Sequence, residues 1–131
     1  MKLSFLIASL FLLLSCADNK NSSGTEKPVS ENQTTDLQAG GLYLIKNNDN
    51  TYSLAKILVL DDFAVHLRIY QDTFKTKPTD INTEKLKIFI GHSPIDKNGF
   101  LLDKPELLKV EEVKESELEG YKMYQEAMEK Q

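Results

Sequence analysis

Hydrophobic and polar positions change pattern three times along this chain. From Leu3 to Leu14 the residues are predominantly apolar, behind a single basic residue, Lys2. From Ala17 to about Gln38 large apolar side chains nearly vanish, and Asn, Ser, Thr, Gly, Glu, Lys and Gln take over. Beyond Gly40-Gly41 apolar residues return in short runs with polar breaks, and after Ser116 their spacing lengthens to that of a helix. These shifts predict a removable segment over residues 1–15, a spacer over 16–38 and one folded domain over 39–131.

Within the domain, Leu42-Tyr43-Leu44-Ile45 predicts a short strand. Asn47-Asn48-Asp49-Asn50 predicts a turn, because Asn and Asp tolerate left-handed backbone and hydrogen-bond their own main chain. Tyr52–Leu60 predicts a second strand whose end is apolar on both faces, as in the middle of a sheet. Asp61-Asp62 makes a tight connection. In the third strand, Phe63 to Tyr70, Phe63, Val65, Leu67 and Ile69 alternate with Ala64, His66, Arg68 and Tyr70. Gln71 to Lys85, with Pro78, is expected to be a long loop. Leu86 to Ile90 predicts a fourth strand, broken by Gly91-His92-Ser93-Pro94; Asp96-Lys97-Asn98-Gly99 predicts a turn, and Leu107 to Val113 a fifth strand.

Ser116-Glu117-Leu118-Glu119 has the spacing of a capping box, and Leu118, Tyr121, Tyr124 and Met128 follow at helical intervals. Gly120 weakens such a helix by about 1 kcal/mol, so docking must support it. The expected fold is mainly β within the α+β class: a small SH3-like antiparallel barrel, or a bent open sheet, of about five strands with a C-terminal helix.

Residues 1–15 suit a secretory signal: a basic start, an apolar core and a small residue before the cut. The run is shorter than the roughly 20 apolar residues that cross a bilayer. Leu13-Leu14-Ser15-Cys16 resembles the lipobox of bacterial lipoproteins. That resemblance implies lipidation of Cys16, which becomes the mature N-terminus, and a protein tethered to a bacterial envelope membrane, favouring the outer membrane or cell surface over the cytoplasm. Two or three acyl chains exceed the threshold for stable anchoring. The spacer's composition offers too little apolar burial to offset ordering entropy, and its residues span ~25 Å as a random coil.

Composition narrows the partners. Loss of residues 1–15 removes Lys2 and no acid, so the formal charge of −4 becomes −5. An acidic surface argues against nucleic acid, whose binding rests on phosphate neutralisation, and against a polybasic grip on lipid. Cys16 is the chain's one cysteine, so its acylation leaves no thiol for a disulfide, a thiolate metal site or a nucleophile.

The series Val65-His66-x-Arg68-x-Tyr70, Phe74, Pro78, Gly91-His92-x-Pro94, Phe100, Pro105 and Glu117-Leu118-Glu119-Gly120-Tyr121 resembles a family of small uncharacterised bacterial domains. The resemblance spans nearly all of residues 41–125 and implies one domain without implying an activity. Ser93 and the absence of Trp depart from that pattern.

Alternation puts His66, Arg68 and Tyr70 on one face of the third strand. Such a row suits a pocket for a carboxylate or phosphate, with Arg68 as bidentate anchor and His66 as a titratable neighbour. It equally suits the polar outer face of a half-exposed strand with Arg68 paired to an acid, and that plainer reading is preferred. His92 can meet His66 in space and joins the candidate ligand-binding set. The two histidines with Asp61 or Asp62 match no zinc-ligand spacing, so no metal or cofactor is expected.

No phosphate loop, nucleophile elbow or HExxH is present. No catalytic residue is assigned, and an enzyme is less expected than a binding module. The stripe of Tyr121, Met123, Tyr124 and Met128 is read as core before interface. Three functions follow: an envelope binding module for a protein or small anionic ligand, a small hydrolase or metal-dependent enzyme using His66, Arg68 and His92, and a structural envelope component.

Overall fold

The computed structural model describes residues 36–131. The expected signal segment, Cys16 and nearly all of the expected spacer lie outside the described residues. Within them, five strands form one antiparallel sheet: β1 (Gly41–Lys46), β2 (Tyr52–Leu60), β3 (Ala64–Phe74), β4 (Ile88–Asp96) and β5 (Glu106–Val110). Their order is β4-β3-β2-β1-β5. A short helix, α1 (Lys97–Leu102), joins β4 to β5, and a 3₁₀ turn (Glu115–Leu118) leads into the terminal helix α2 (Glu119–Glu129). None of these helices is long and apolar enough to cross a membrane.

The expectation of a five-stranded antiparallel sheet with a C-terminal helix holds, in its open form. The sheet does not close into an SH3-like barrel, because β4 and β5 occupy opposite edges and each pairs with one neighbour only. It bends instead, with register shifts in the β2–β3, β3–β4 and β1–β5 ladders. Such bulges increase local twist and re-aim side chains.

β2 spans the predicted Tyr52–Leu60. β3 outruns its prediction by four residues, to Phe74. β4 runs unbroken through Gly91 and Pro94, which were expected to end it. Both residues are tolerated because β4 is an edge strand, where proline's missing N–H faces no partner. Asp96 caps α1 by accepting the Gly99 N–H at 2.9 Å, so the expected turn is the start of a helix.

Each face of the sheet carries its own core. One face packs Tyr43, Ala55, Ile57, Val65 and Leu67 against Phe100 of α1. Leu37 also packs there. The Tyr43 hydroxyl accepts the Gln38 N–H and donates to the Asp36 carbonyl, each at 3.1 Å. The stretch 36–38, assigned to the spacer from composition, is therefore tied to the domain. The other face packs Leu42, Leu44, Leu54 and Tyr70 against Ile81, and the same face carries Lys56, paired across the ladder with both Leu42 and Arg68.

Gly40, at φ +82°, donates to the Ile57 carbonyl at 2.7 Å and accepts from Glu111 at 2.8 Å. A Cβ there would sit 2.1 Å from the Glu111 carbonyl oxygen. This glycine lets the chain enter β1 and close onto the end of β5.

Candidate functional site

Polar groups gather on the second face in two adjoining clusters. The first begins at the β2–β3 turn. Asp61 Oδ1 accepts the backbone N–H groups of Phe63 and Ala64 at 2.8 and 2.6 Å. Its Oδ2 lies 2.8 Å from His66 Nε2, and His66 Nδ1 lies 2.9 Å from His92 Nε2. Asp61, His66 and His92 thus form one hydrogen-bonded chain. His92 reaches it from β4 beside the bulge that separates Ile90 from Ser93 in the pairing with β3.

The imidazole rings are near-parallel, 11° apart, with centroids at 5.2 Å. Since the bridging nitrogens are only 2.9 Å apart, the rings stand edge to edge. Tyr121 and Tyr124 of α2 wall them in at 4.8 and 5.3 Å from His66, centroid to centroid. His66 is fully buried, at 0% exposure.

The charges follow from these contacts. The hydrogen bond from His66 and the two turn N–H groups hold the Asp61 carboxyl down at about 2, so it is ionised at any moderate pH. An ionised carboxylate only accepts, so His66 presents Nε2–H to it. In the neutral pair His66 Nδ1 then accepts from His92 Nε2–H. Burial, aided by His66, lowers the His92 pKa below the ordinary imidazole value.

The second cluster centres on Lys56, buried in the middle of β2 at 2% exposure. Its ammonium donates to both Glu117 oxygens at 3.2 and 3.0 Å and to the Glu112 carbonyl at 2.9 Å. Glu111 stands 3.5 Å away. Glu117 also accepts from Arg68 Nη1 at 3.3 Å and from the Lys114 N–H at 2.8 Å. Glu117 is therefore an N3 residue bonding back to Lys114, and the capping box lies two residues before the one expected at Ser116.

Burial pushes the Glu111 carboxyl up, but hydrogen bonds from Lys109 and Thr83 outweigh it and leave the pKa lowered. Burial, with Glu117 nearby, pushes the Tyr70 phenol up to about 12, so it stays a neutral donor.

A cleft of about 530 Å³ opens over this cluster, lined by Lys56, Arg68, Tyr70, Thr83, Lys109 and Glu117 among others. Arg68 Nε is buried there without a hydrogen-bond partner. An unpaired buried donor costs about 1–3 kcal/mol.

His66, Arg68 and Tyr70 therefore do share a face, but that face is not the exposed outer side preferred from the sequence. The segment from Ile81 onwards and the C-terminal segment pack over it. The four sequence candidates divide: Arg68 and Tyr70 line the cleft, while His66 and His92 lie beneath α2, outside the cleft lining. Among the described residues no group of three or more His, Cys, Asp or Glu stands in position to hold a metal ion.

Lys56 was not singled out, Asp61 was weighed only as a metal ligand beside the histidines, and Glu117 only as part of a capping box. Lys56 had a legible signal, a charge at an inward position within Leu54-Ala55-Lys56-Ile57-Leu58. Glu117 had none, since an acid in a first helical turn is ordinary.

No family model, curated protein or solved structure matches the chain.

Proposed function

We propose that this chain is a lipid-anchored protein of the bacterial cell envelope whose folded domain is a binding module. An anionic group, from a small ligand or an envelope protein, is its ligand, received in the cleft over Arg68. The anchor half of this reading is supported by Leu13-Leu14-Ser15-Cys16 and by the polar spacer that follows. Metabolic labelling with a fatty-acid probe tests it. The intact chain is expected to incorporate the probe and Cys16→Ala to lose it; equal labelling, or none, contradicts the anchor.

The binding half is carried by Arg68 Nε, a guanidinium donor buried at a cleft with no partner. Arginine's planar fork suits carboxylate or phosphate oxygens. Titration with sulfate and with acetate, followed by NMR, tests it. Shifts confined to β3 and residues 80–86 that disappear in Arg68→Ala are expected, and unsaturable, scattered shifts contradict it.

One observation favours a second reading, a hydrolase using His66, Arg68 and His92. An Asp–His–His chain can pass a proton along its length, as general acid–base work requires. Against it, neither histidine lines the cleft and two tyrosines stand over the pair. Turnover of ester or phosphoester substrates that vanishes in His92→Ala would establish the enzyme over the binding module.

A further inference from the structure

A single stretch of chain touches both polar clusters. Glu117, in the turn before α2, bonds Lys56 and Arg68. Tyr121 and Tyr124, on α2, stand on His66 and His92. We propose that Glu115–Glu129 is a pH-released latch: Glu117 fills the anion position on Lys56 and Arg68 while the neutral His66–His92 pair holds the helix down, and double protonation of the pair releases both. The ligand side of this inference rests on the cleft reading above.

Three observations carry it. First, Glu117 supplies a carboxylate to the two cations that an external anion would use. The cleft therefore holds an internal stand-in for its ligand, and Arg68 Nε, being buried, becomes reachable only when a cover moves.

Second, α2 is held by little. It has no buried residue, and Met123 and Met128 face outward. It passes close to β4 at Gly120, where an added Cβ would sit 2.5 Å from His92 Cβ. No slack remains there, so a displaced His92 ring displaces the helix. An element with few buried contacts opens at low free energy.

Third, the hydrogen bond between the rings permits one added proton but not two. With a single added proton, one ring donates and the other still accepts. With two, N–H faces N–H across 2.9 Å, and two cations share a site beside one carboxylate. The charged and titratable groups that contact the pair are Asp61 from the β2–β3 turn and Tyr121 and Tyr124 from α2, with Arg68 two residues along β3 and paired to Glu117. Asp61 balances one positive charge; none of the others is an anion.

The direction follows by linkage. Once released, the two rings no longer face each other, and each can be protonated without opposing the other. The docked pair resists the second proton, so the released state binds more protons and gains as pH falls, by up to tenfold per pH unit for each proton.

Amide hydrogen exchange of the full-length chain at pH 7 and pH 5, corrected for intrinsic rates, tests the latch. Protection across Glu119–Glu129 is expected to fall roughly tenfold while β2 amides hold theirs. His92→Gln is expected to abolish the pH dependence, with His92→Asn in its place if β2 protection shows the first variant misfolded. Protection of α2 that is independent of pH, or lost together with β2, or lost equally in the variant, overturns the latch. Sulfate, whose charge is constant over this range, reads the cleft. Tighter binding at pH 5 is expected. A released α2 with no gain in sulfate binding overturns the anion position and the cleft reading, while leaving the helix release standing.

Discussion

The two faces of this sheet are made by alternate residues of the same strands and each has an apolar core, yet only one of them buries charges and an imidazole as well. On one face Val65, Leu67, Ile57 and Tyr43 meet Phe100, and removal of apolar surface from water holds them together. On the other, the positions between them carry His66, Arg68 and Lys56, and those are held by particular partners: Asp61, His92 and Glu117. Apolar contacts are non-directional and indifferent to pH. Buried charges and imidazoles hold only while each partner keeps its geometry and protonation state. The first face can therefore serve as a fixed frame and the second as the part that responds.

The largest expected effects come from deleting one member on either face. Glu117→Ala leaves the Lys56 ammonium buried and under-compensated, which should cost about 3–5 kcal/mol. Leu67→Ala opens a cavity for about 2–5 kcal/mol. Denaturant titration measures both. Rescue distinguishes the faces: Lys56→Met added to Glu117→Leu should recover much of the loss, since a buried pair is replaceable by apolar groups of similar volume. If that double variant is as unstable as Glu117→Ala, the buried ion pair is not what holds this face.

Gly120→Ala comes next. Helix propensity favours alanine by about 1 kcal/mol, but the added methyl meets His92, and overpacking costs about 1–3 kcal/mol. A net loss is expected in thermal unfolding. At Gly91, where a Cβ meets nothing within 4 Å, the same substitution should be near neutral. A stabilised Gly120→Ala would mean that α2 does not pack on His92 this closely.

Acid should act on the second face in two windows. The lowered His92 pKa means that stability present above 6.5 falls as pH drops below that value. Asp61, held at about 2, contributes stability present above its ordinary value of 3.8 and lost as pH falls from 3.8 through 2. The first window should disappear in His92→Gln and the second in Asp61→Asn; a single transition unchanged by either variant would contradict both assignments. The smallest effect is expected at Lys114, whose bond to Glu84 at 2.7 Å joins two exposed side chains. Lys114→Ala should leave the denaturation midpoint nearly unchanged, because exposed ion pairs contribute little.

How much of this was legible in the sequence also divides by face. Alternation of Val65 and Leu67 with His66, Arg68 and Tyr70 showed which residues share a side, and β2 emerged with its observed ends. What covers each side was not legible, because it depends on contacts between residues far apart in the chain. Glu117 lies 61 residues from Lys56, and no local pattern encodes that pairing. The same limit explains the barrel. Strand count and order of hydrophobic runs allow closure, and only register and bulges decide it. Gly91 and Pro94 were expected to end β4 because their cost was judged without knowing that the strand lies at an edge. The meeting of His66 with His92 was anticipated only as possible company, since Gly91 was read as a break in the strand and not as the bulge that lies beside His92.

The most direct test of the account is ¹⁵N NMR of the imidazoles in the full-length chain at pH 7. The account predicts one protonated and one bare nitrogen facing each other, with a scalar coupling across the hydrogen bond between His66 Nδ1 and His92 Nε2 and a His66 Nε2–H protected from exchange. Two rings that titrate independently at ordinary values, with no coupling between them, would contradict it.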